Sequence, residues 1–408
     1  MAAQTPPRPV TTRGDLRSMV VDHLQDRSRH CLAAGEARRR VAFRDGRWAE
    51  YGQGIRAHVR DAFGAMPFGA AGGPLKTRAV TAFDLGCCRV ENLLFESFPG
   101  WEVNASVFVP RGKGPFPAIV IPVGHSGKQH DTYQVPAQAF ASLGFLAVLF
   151  DPPGQDSEKR PGNDHFRDGV RTFLTGHSSN RYFVLDALRC IDYLETRSDA
   201  DLRRGVGMTG VSGGGHTTLF AALFDARIAC QGPSCCLTRL ADHPVGDLYS
   251  ACPESLWSGR LAAGVDELDV LLASIPTPAL YMAGRRDEVF QIEWSRALAR
   301  EAAAGFGAAG AAGRFAFFED EGGHAYTLAQ VRQFAAWMNR WVRQGPERPV
   351  PQLDAADFPM RPYDQLKCYP APEENIFTLN RALARRQAAA RPAARSAPLL
   401  RAAVEAVV

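Results

Sequence analysis

The chain has 408 residues, of which 46% are hydrophobic and 22% charged, with a formal net charge of +4. That is the composition of an ordinary globular protein with enough chain for a sizeable core. So small a net charge gives no reason to expect a nucleic-acid partner, and the lack of any run of about 18 apolar residues argues against a membrane span.

Residues 1–75 read as mostly helical, with Val20, Val21 and Leu24 on one short apolar face. The opening stretch has no apolar core of the kind a secretory leader carries, so a cytoplasmic location is expected. A Gly-rich break follows around Gly69–Pro74. From about 88 to 110 the pattern turns to strands, with clean alternation over Val103–Val109. Apolar runs at Ala118–Val123, Phe145–Phe150, Val206–Thr209, Arg227–Gln231, Pro278–Ala283 and Phe315–Phe318 read as strands. Helical spacing appears at Ala137–Leu143 (Gly144 closing it), Phe183–Leu194, Gly214–Phe224 and Leu328–Trp341. Strands alternating with helices predict an α/β fold, a mostly parallel sheet covered on both faces. The expected organisation is a largely helical N-terminal extension (1–85), a main domain (86–345) with a lid or insertion over the sheet edge (236–275), and a C-terminal extension (346–408), docked or partly disordered. The nine cysteines include the neighbours Cys87-Cys88 and Cys235-Cys236. They form no framework of spacings and read as reduced, buried thiols.

The chemistry concentrates at Gly210-Val211-Ser212-Gly213-Gly214. A strand precedes this G-x-S-x-G pattern and a helix follows it. Glycines at 210 and 214 relieve crowding in so sharp a turn, which lifts the serine hydroxyl above the sheet. The pattern alone also fits a helix-capping serine in a Gly-rich turn. Two later residues weigh against that reading. Asp287 follows the strand ending at Ala283, and His324 follows the strand ending at Phe318. The order Ser, Asp, His is the one such hydrolases use, and strands ending on one edge of a parallel sheet bring the three together. Glu288 is a less favoured acid, and Asp242 and Asp247 are distant alternatives.

An oxyanion hole needs two aimed backbone N–H groups. Gly213 supplies one. The loop Gly124-His125-Ser126-Gly127-Lys128 supplies the other, from His125 or Ser126. In the insertion, Leu248, Tyr249 and Trp257 are candidates for an apolar substrate pocket or, equally, for packing of a lid. His125 and His130 lack metal-ligand spacing, and neither a metal nor an organic cofactor is expected. Asp151, in Asp151-Pro152-Pro153-Gly154-Gln155, reads as a turn cap that also has the option of orienting the nucleophile region.

The segments Asn104–Pro110, Gly124-His125, Phe150–Gln155 and Gly210–Gly214 resemble the acetylxylan esterase-like branch of the α/β-hydrolases, related to the cephalosporin-C deacetylases. The resemblance spans roughly residues 50–345, and Gln365–Cys368 through Leu379–Arg381 resembles the segment after the core in longer members. It implies an α/β-hydrolase fold and a carboxylic-ester hydrolase for small acyl groups, often acetyl on sugars, with Ser212, Asp287 and His324 as nucleophile, acid and base. Pro153 stands where the deacetylases carry an arginine. The expected partner is a small-molecule or carbohydrate ester. An amidase or peptidase on the same triad, and a non-catalytic binding protein of the same fold, are the alternatives.

Overall fold

The computed structural model describes residues 19–154, 164–242, 252–343, 349–368 and 374–390. Two helices lead, α1 (Met19–Arg44) and α2 (Trp48–Phe63). Then come β1 (Arg78–Asp84), β2 (Cys88–Phe98), β3 (Trp101–Pro110), β4 (Phe116–Pro122), α3 (Asp131–Ser142), β5 (Leu146–Asp151), α4 (Arg167–Thr172) and α5 (Asn180–Glu195). The chain continues through β6 (Ala200–Asp201), β7 (Val206–Val211), α6 (Gly213–Phe224), β8 (Ile228–Ser234), α7 (Glu267–Ala273), β9 (Ala279–Gly284), α8 (Ile292–Ala308), β10 (Phe315–Asp320), α9 (Leu328–Trp341), α10 (Tyr363–Leu366) and α11 (Ile376–Ala390).

Among the described residues, nine strands run across one sheet in the order β1-β2-β3-β5-β4-β7-β8-β9-β10, with the short β6 beside β4. The first three form an antiparallel meander, β3 pairs antiparallel with β5, and every pair from β5 to β10 is parallel. Period-2 alternation divides the strand residues between two cores. Ala118, Val120, Val148, Met208 and Tyr281 face the layer of α2, α5, α6, α7 and α8, while Ile119, Ile121, Leu149, Leu280 and Met282 face α3 and α9. The central strands β4, β5, β7 and β9 are buried on both faces, which is why they read as continuous apolar runs.

β4 pairs with β5 on one side and β7 on the other. The strand order reverses there, and open α/β sheets leave a crevice beyond the strand C-termini at such a point. Residues 236–275, expected as an insertion over the sheet edge, lie in sequence between the adjacent parallel strands β8 and β9. The N-terminal helices dock on this connection. Arg39 and Tyr51 both donate to Asp269 Oδ1, at 2.8 and 2.9 Å. Part of the C-terminal stretch is docked too: Asn380 Nδ2 donates to Asp168 O and Thr172 Oγ1, both at 3.0 Å. Among the described residues no helix is long and apolar enough to cross a membrane.

Asp186 on α5 lies fully inside the layer of α5 and β3 and accepts from Trp101 Nε1 at 3.3 Å. Burial pushes its carboxyl up to about 7, against the pull of the Trp101 hydrogen bond. The unfolded chain loses this proton near 3.8, so between those two values the unfolded state binds fewer protons than the native state. The contribution of Asp186 to stability therefore falls as pH rises through that window. Asp186→Asn is expected to gain melting temperature relative to wild type at pH 8 compared with pH 4. Thermal melts at the two pH values check this, and an equal difference at both would refute it.

Candidate active site

Ser212 sits where β7 turns into α6, at φ 57° and ψ −124°. A non-glycine residue holds such a conformation only where its surroundings over-determine it. Three neighbouring glycines show how tight the turn is. A Cβ at Gly210 would lie 2.6 Å from the Gly214 carbonyl carbon, one at Gly214 would run into the Pro122 carbonyl oxygen, and one at Gly215 would lie 2.5 Å from Cys236 Sγ. Hydrogen bonds pin the turn from both sides: Ser212 N donates to Ser234 O at 2.9 Å, and His216 N donates to Ser212 O at 3.1 Å. The side chain stands at the N-terminus of α6, where the helix favours negative charge.

Asp287 and His324 come together as the sequence predicts. Their loops follow β9 and β10 and are stitched by Arg285 N to Asp320 O (2.8 Å) and Arg286 N to Gly322 O (2.9 Å). Asp287 Oδ1 accepts from Val289 N and Phe290 N at 2.8 and 2.9 Å, which fixes the carboxylate. His324 Nδ1 lies 3.2 and 3.0 Å from its two oxygens. That contact assigns the proton to Nδ1 and leaves Nε2 as the acceptor. Phe290 stacks on the imidazole at 5.7 Å. Buried Cys235 lies within 4.8 Å of this pair, and burial, then the Asp287 charge, pushes its thiol up to about 12, so it stays protonated. Glu288 makes no hydrogen bond to His324 among the described residues, and Asp242 is held by Arg239 at 2.8 Å.

Ser212 does not hydrogen-bond to His324 in this structure. Its hydroxyl meets His125 instead, with Oγ 3.3 Å from Nδ1. The other ring nitrogen, Nε2, lies 3.1 Å from Glu254 Oε1 and 3.4 Å from Cys252 Sγ. Glu254 is buried, and its carboxylate stands against Gly213, where a Cβ would lie 2.5 Å from Cδ. The sequence assigned His125 a backbone role only; its side-chain contact, and Glu254 altogether, were missed. No local signal marks Glu254, because it reaches the site from the β8–β9 connection.

The loop after β4 and the residue after Ser212 do approach each other. A Cβ at Gly124 would lie 3.2 Å from Gly213 N, and Ser126 sits on the same loop, its carbonyl accepting from Gln129 Nε2 at 2.6 Å. This loop is clamped from below. Gly124 N donates to Tyr133 Oη at 2.7 Å and Lys128 N to Asp151 Oδ1 at 2.7 Å. Lys128 Nζ, wholly buried, donates to Asn104 Oδ1 and Ser106 Oγ at 2.7 and 2.9 Å. Burial raises the Asp151 carboxyl and lowers the Lys128 ammonium, and each charge counters the other's shift. Asp151 therefore caps the loop that faces Ser212, beyond capping its own turn.

Of the expected pocket residues, Leu248 and Tyr249 lie outside the described residues, as does Asp247. Trp257, expected either to line a pocket or to pack, packs. It is buried between α2 and α6, donates Nε1 to His58 Nε2 at 3.0 Å, and lies edge-on to Phe63 and Phe220.

Residues 78–238 match the acetyl xylan esterase (AXE1) family. The Bacillus subtilis (strain 168) protein YtaP, named as a hydrolase, is 25% identical over 277 residues, 62% of this chain and 88% of that protein. The solved methylesterase BT1017 superposes with a TM-score of 0.63 at 19% identity, covering 84% of this chain and 76% of its own. A glucuronoyl esterase from Solibacter usitatus superposes with a TM-score of 0.53 at 14% identity, over 69% and 90% of the two chains. The low identities of the solved structures carry the fold alone. With a serine raised on a strained strand-to-helix turn at the reversal point of the sheet, and the family match running through that turn, the chain has the α/β-hydrolase fold, resembles the acetyl xylan esterases over residues 78–238, and is a carboxylic-ester hydrolase.

Proposed function

We propose that this chain cleaves carbohydrate esters through an acyl-enzyme on Ser212, with His324 as general base and Asp287 as its partner. The observation that carries the reading is the Asp287–His324 pair, whose geometry leaves Nε2 as the acceptor on the strand edge where Ser212 is raised. His324 takes the serine proton as Oγ attacks the ester carbonyl. The proton then passes to the departing sugar hydroxyl, and water, deprotonated by the same imidazole, releases the acid. Gly213 N and a backbone N–H of the 124–126 loop face the developing oxyanion. Hydrogen bonds of this kind often tighten only once substrate is bound, which accommodates the missing Ser212–His324 bond. The family name and the name of the glucuronoyl esterase support a sugar-linked ester, with acetyl the favoured acyl group.

A second reading has its own observation. Ser212 Oγ, His125 and Glu254 form a continuous chain of contacts at 3.3 and 3.1 Å, which makes His125 an alternative base. The two histidines are separable. His324→Ala is expected to lower kcat on p-nitrophenyl acetate by about 10³-fold or more, and His125→Ala by about tenfold. The reverse order would transfer the base role to His125.

Ser212→Ala is expected to lose fluorophosphonate labelling and to cut kcat by about 10⁴-fold or more while keeping the fold. Labelling that persists in this variant would remove Ser212 as nucleophile. Acetate release from acetylated xylan, compared with acid release from a methyl glucuronate ester, tests the acyl preference, and the acetylated substrate is expected to turn over faster.

A further inference from the structure

Beside Ser212, and outside the Asp287–His324 pair, four side chains converge from three separate stretches of chain. His125 follows β4, His165 precedes α4, and Cys252 and Glu254 stand two residues apart in the β8–β9 connection. One ligand atom from each lies within 4.8 Å of all the others. His165, Cys252 and Glu254 are buried.

We propose that these four residues form a binding site for a divalent cation of the zinc class. The donor set of two imidazoles, one thiol and one carboxylate suits a borderline-soft ion and is foreign to magnesium or calcium, which take oxygen ligands. The spacing suits it as well. Zinc bonds of about 2.0–2.3 Å in a tetrahedron set ligand atoms about 3.3–3.8 Å apart. His125 Nε2 lies 3.4 Å from Cys252 Sγ, inside that span, and 3.1 Å from Glu254 Oε1, just short of it, and all four ligand atoms lie within 4.8 Å of one another. With a thiolate and a carboxylate, a doubly charged ion leaves the buried site neutral.

The supporting frame is rigid. Asn180 Nδ2 donates to the Glu254 carbonyl. Ser255 N and Oγ both donate to Cys252 O at 3.0 Å, and Ser178 Oγ donates to Leu256 O at 2.7 Å. Phe166 stacks on the His125 ring at 5.5 Å and covers one face of the cluster. Outer contacts of this kind hold ligands in the orientation a metal needs.

Electrostatics gives the site a purpose. The Glu254 carboxylate stands against Gly213, beside the place where the substrate oxygen becomes negative. A negative charge there opposes the transition state, and a bound cation offsets it. Binding also sets the tautomer of His125. With Nε2 on the ion, the ring proton moves to Nδ1, which then donates to Ser212 Oγ, so His125 is no longer able to serve as the base. One proton, from the Cys252 thiol, is released per ion, and affinity rises with pH.

The test uses tag-free full-length chain, stripped of metal and titrated with cobalt(II), with no substrate present, so that its outcome is independent of the proposed ester hydrolysis. The expected result is one ion per chain with a thiolate-to-cobalt charge-transfer band. That band should disappear in Cys252→Ser, and affinity should fall about 100-fold or more in His165→Ala. Calorimetric titration with zinc should give the same stoichiometry. Circular dichroism of the metal-free variants confirms their folding, and Cys252→Ala serves if the serine variant misfolds. Absence of binding in the wild type, or a thiolate band that survives loss of Cys252, overturns the proposal.

Discussion

The steric closure around the strand-to-helix turn at Ser212 governs the rest of the site. Ser212 is held at φ 57° because β7 is pressed between β4 and β8 at a distance that leaves no room for side chains on Gly210, Gly214 and Gly215. Such strain costs on the order of 1–3 kcal/mol. The sheet sustains it because burying a single large aliphatic side chain contributes about 1.5–3 kcal/mol, and the strands on both sides bury many. The closure also has a geometric consequence. It draws Gly213 against the loop after β4, so the proposed nucleophile and the proposed backbone donors are set by one packing event rather than two.

Legibility in the sequence follows burial. The runs at 118–123, 145–150 and 278–283 were readable as strands because each is covered on both faces. The edge strand β1 was not read, because nearly all its residues are exposed and no apolar alternation survives. Helix α8 was missed for a different reason. It is rich in alanine and glycine, and its inner face uses Ala299, Ala302 and Gly305 beside Leu298 and Phe306. The contrast between its faces is therefore one of size as much as polarity. Gly305 in particular is small because Leu272 lies against it. Ser212, Asp287 and His324 were legible as candidates because each lies at the end of a readable strand. Glu254 and Cys252 follow no readable element, and only the folded β8–β9 connection brings them to His125. Trp257 stayed open between two readings because an aromatic residue in a loop-rich stretch has the same local signature whether it lines a pocket or fills one.

Two histidine–carboxylate pairs thus flank one serine, and they are not equivalent. Asp287 stands behind its imidazole and is satisfied by two backbone N–H groups, so in the proposed mechanism its charge reaches the serine through His324. Glu254 abuts Gly213 directly. In the proposed acyl transfer it therefore stands on the oxyanion side, and a cation held between Glu254 and His125 would offset its charge there while leaving the Asp287–His324 pair unchanged.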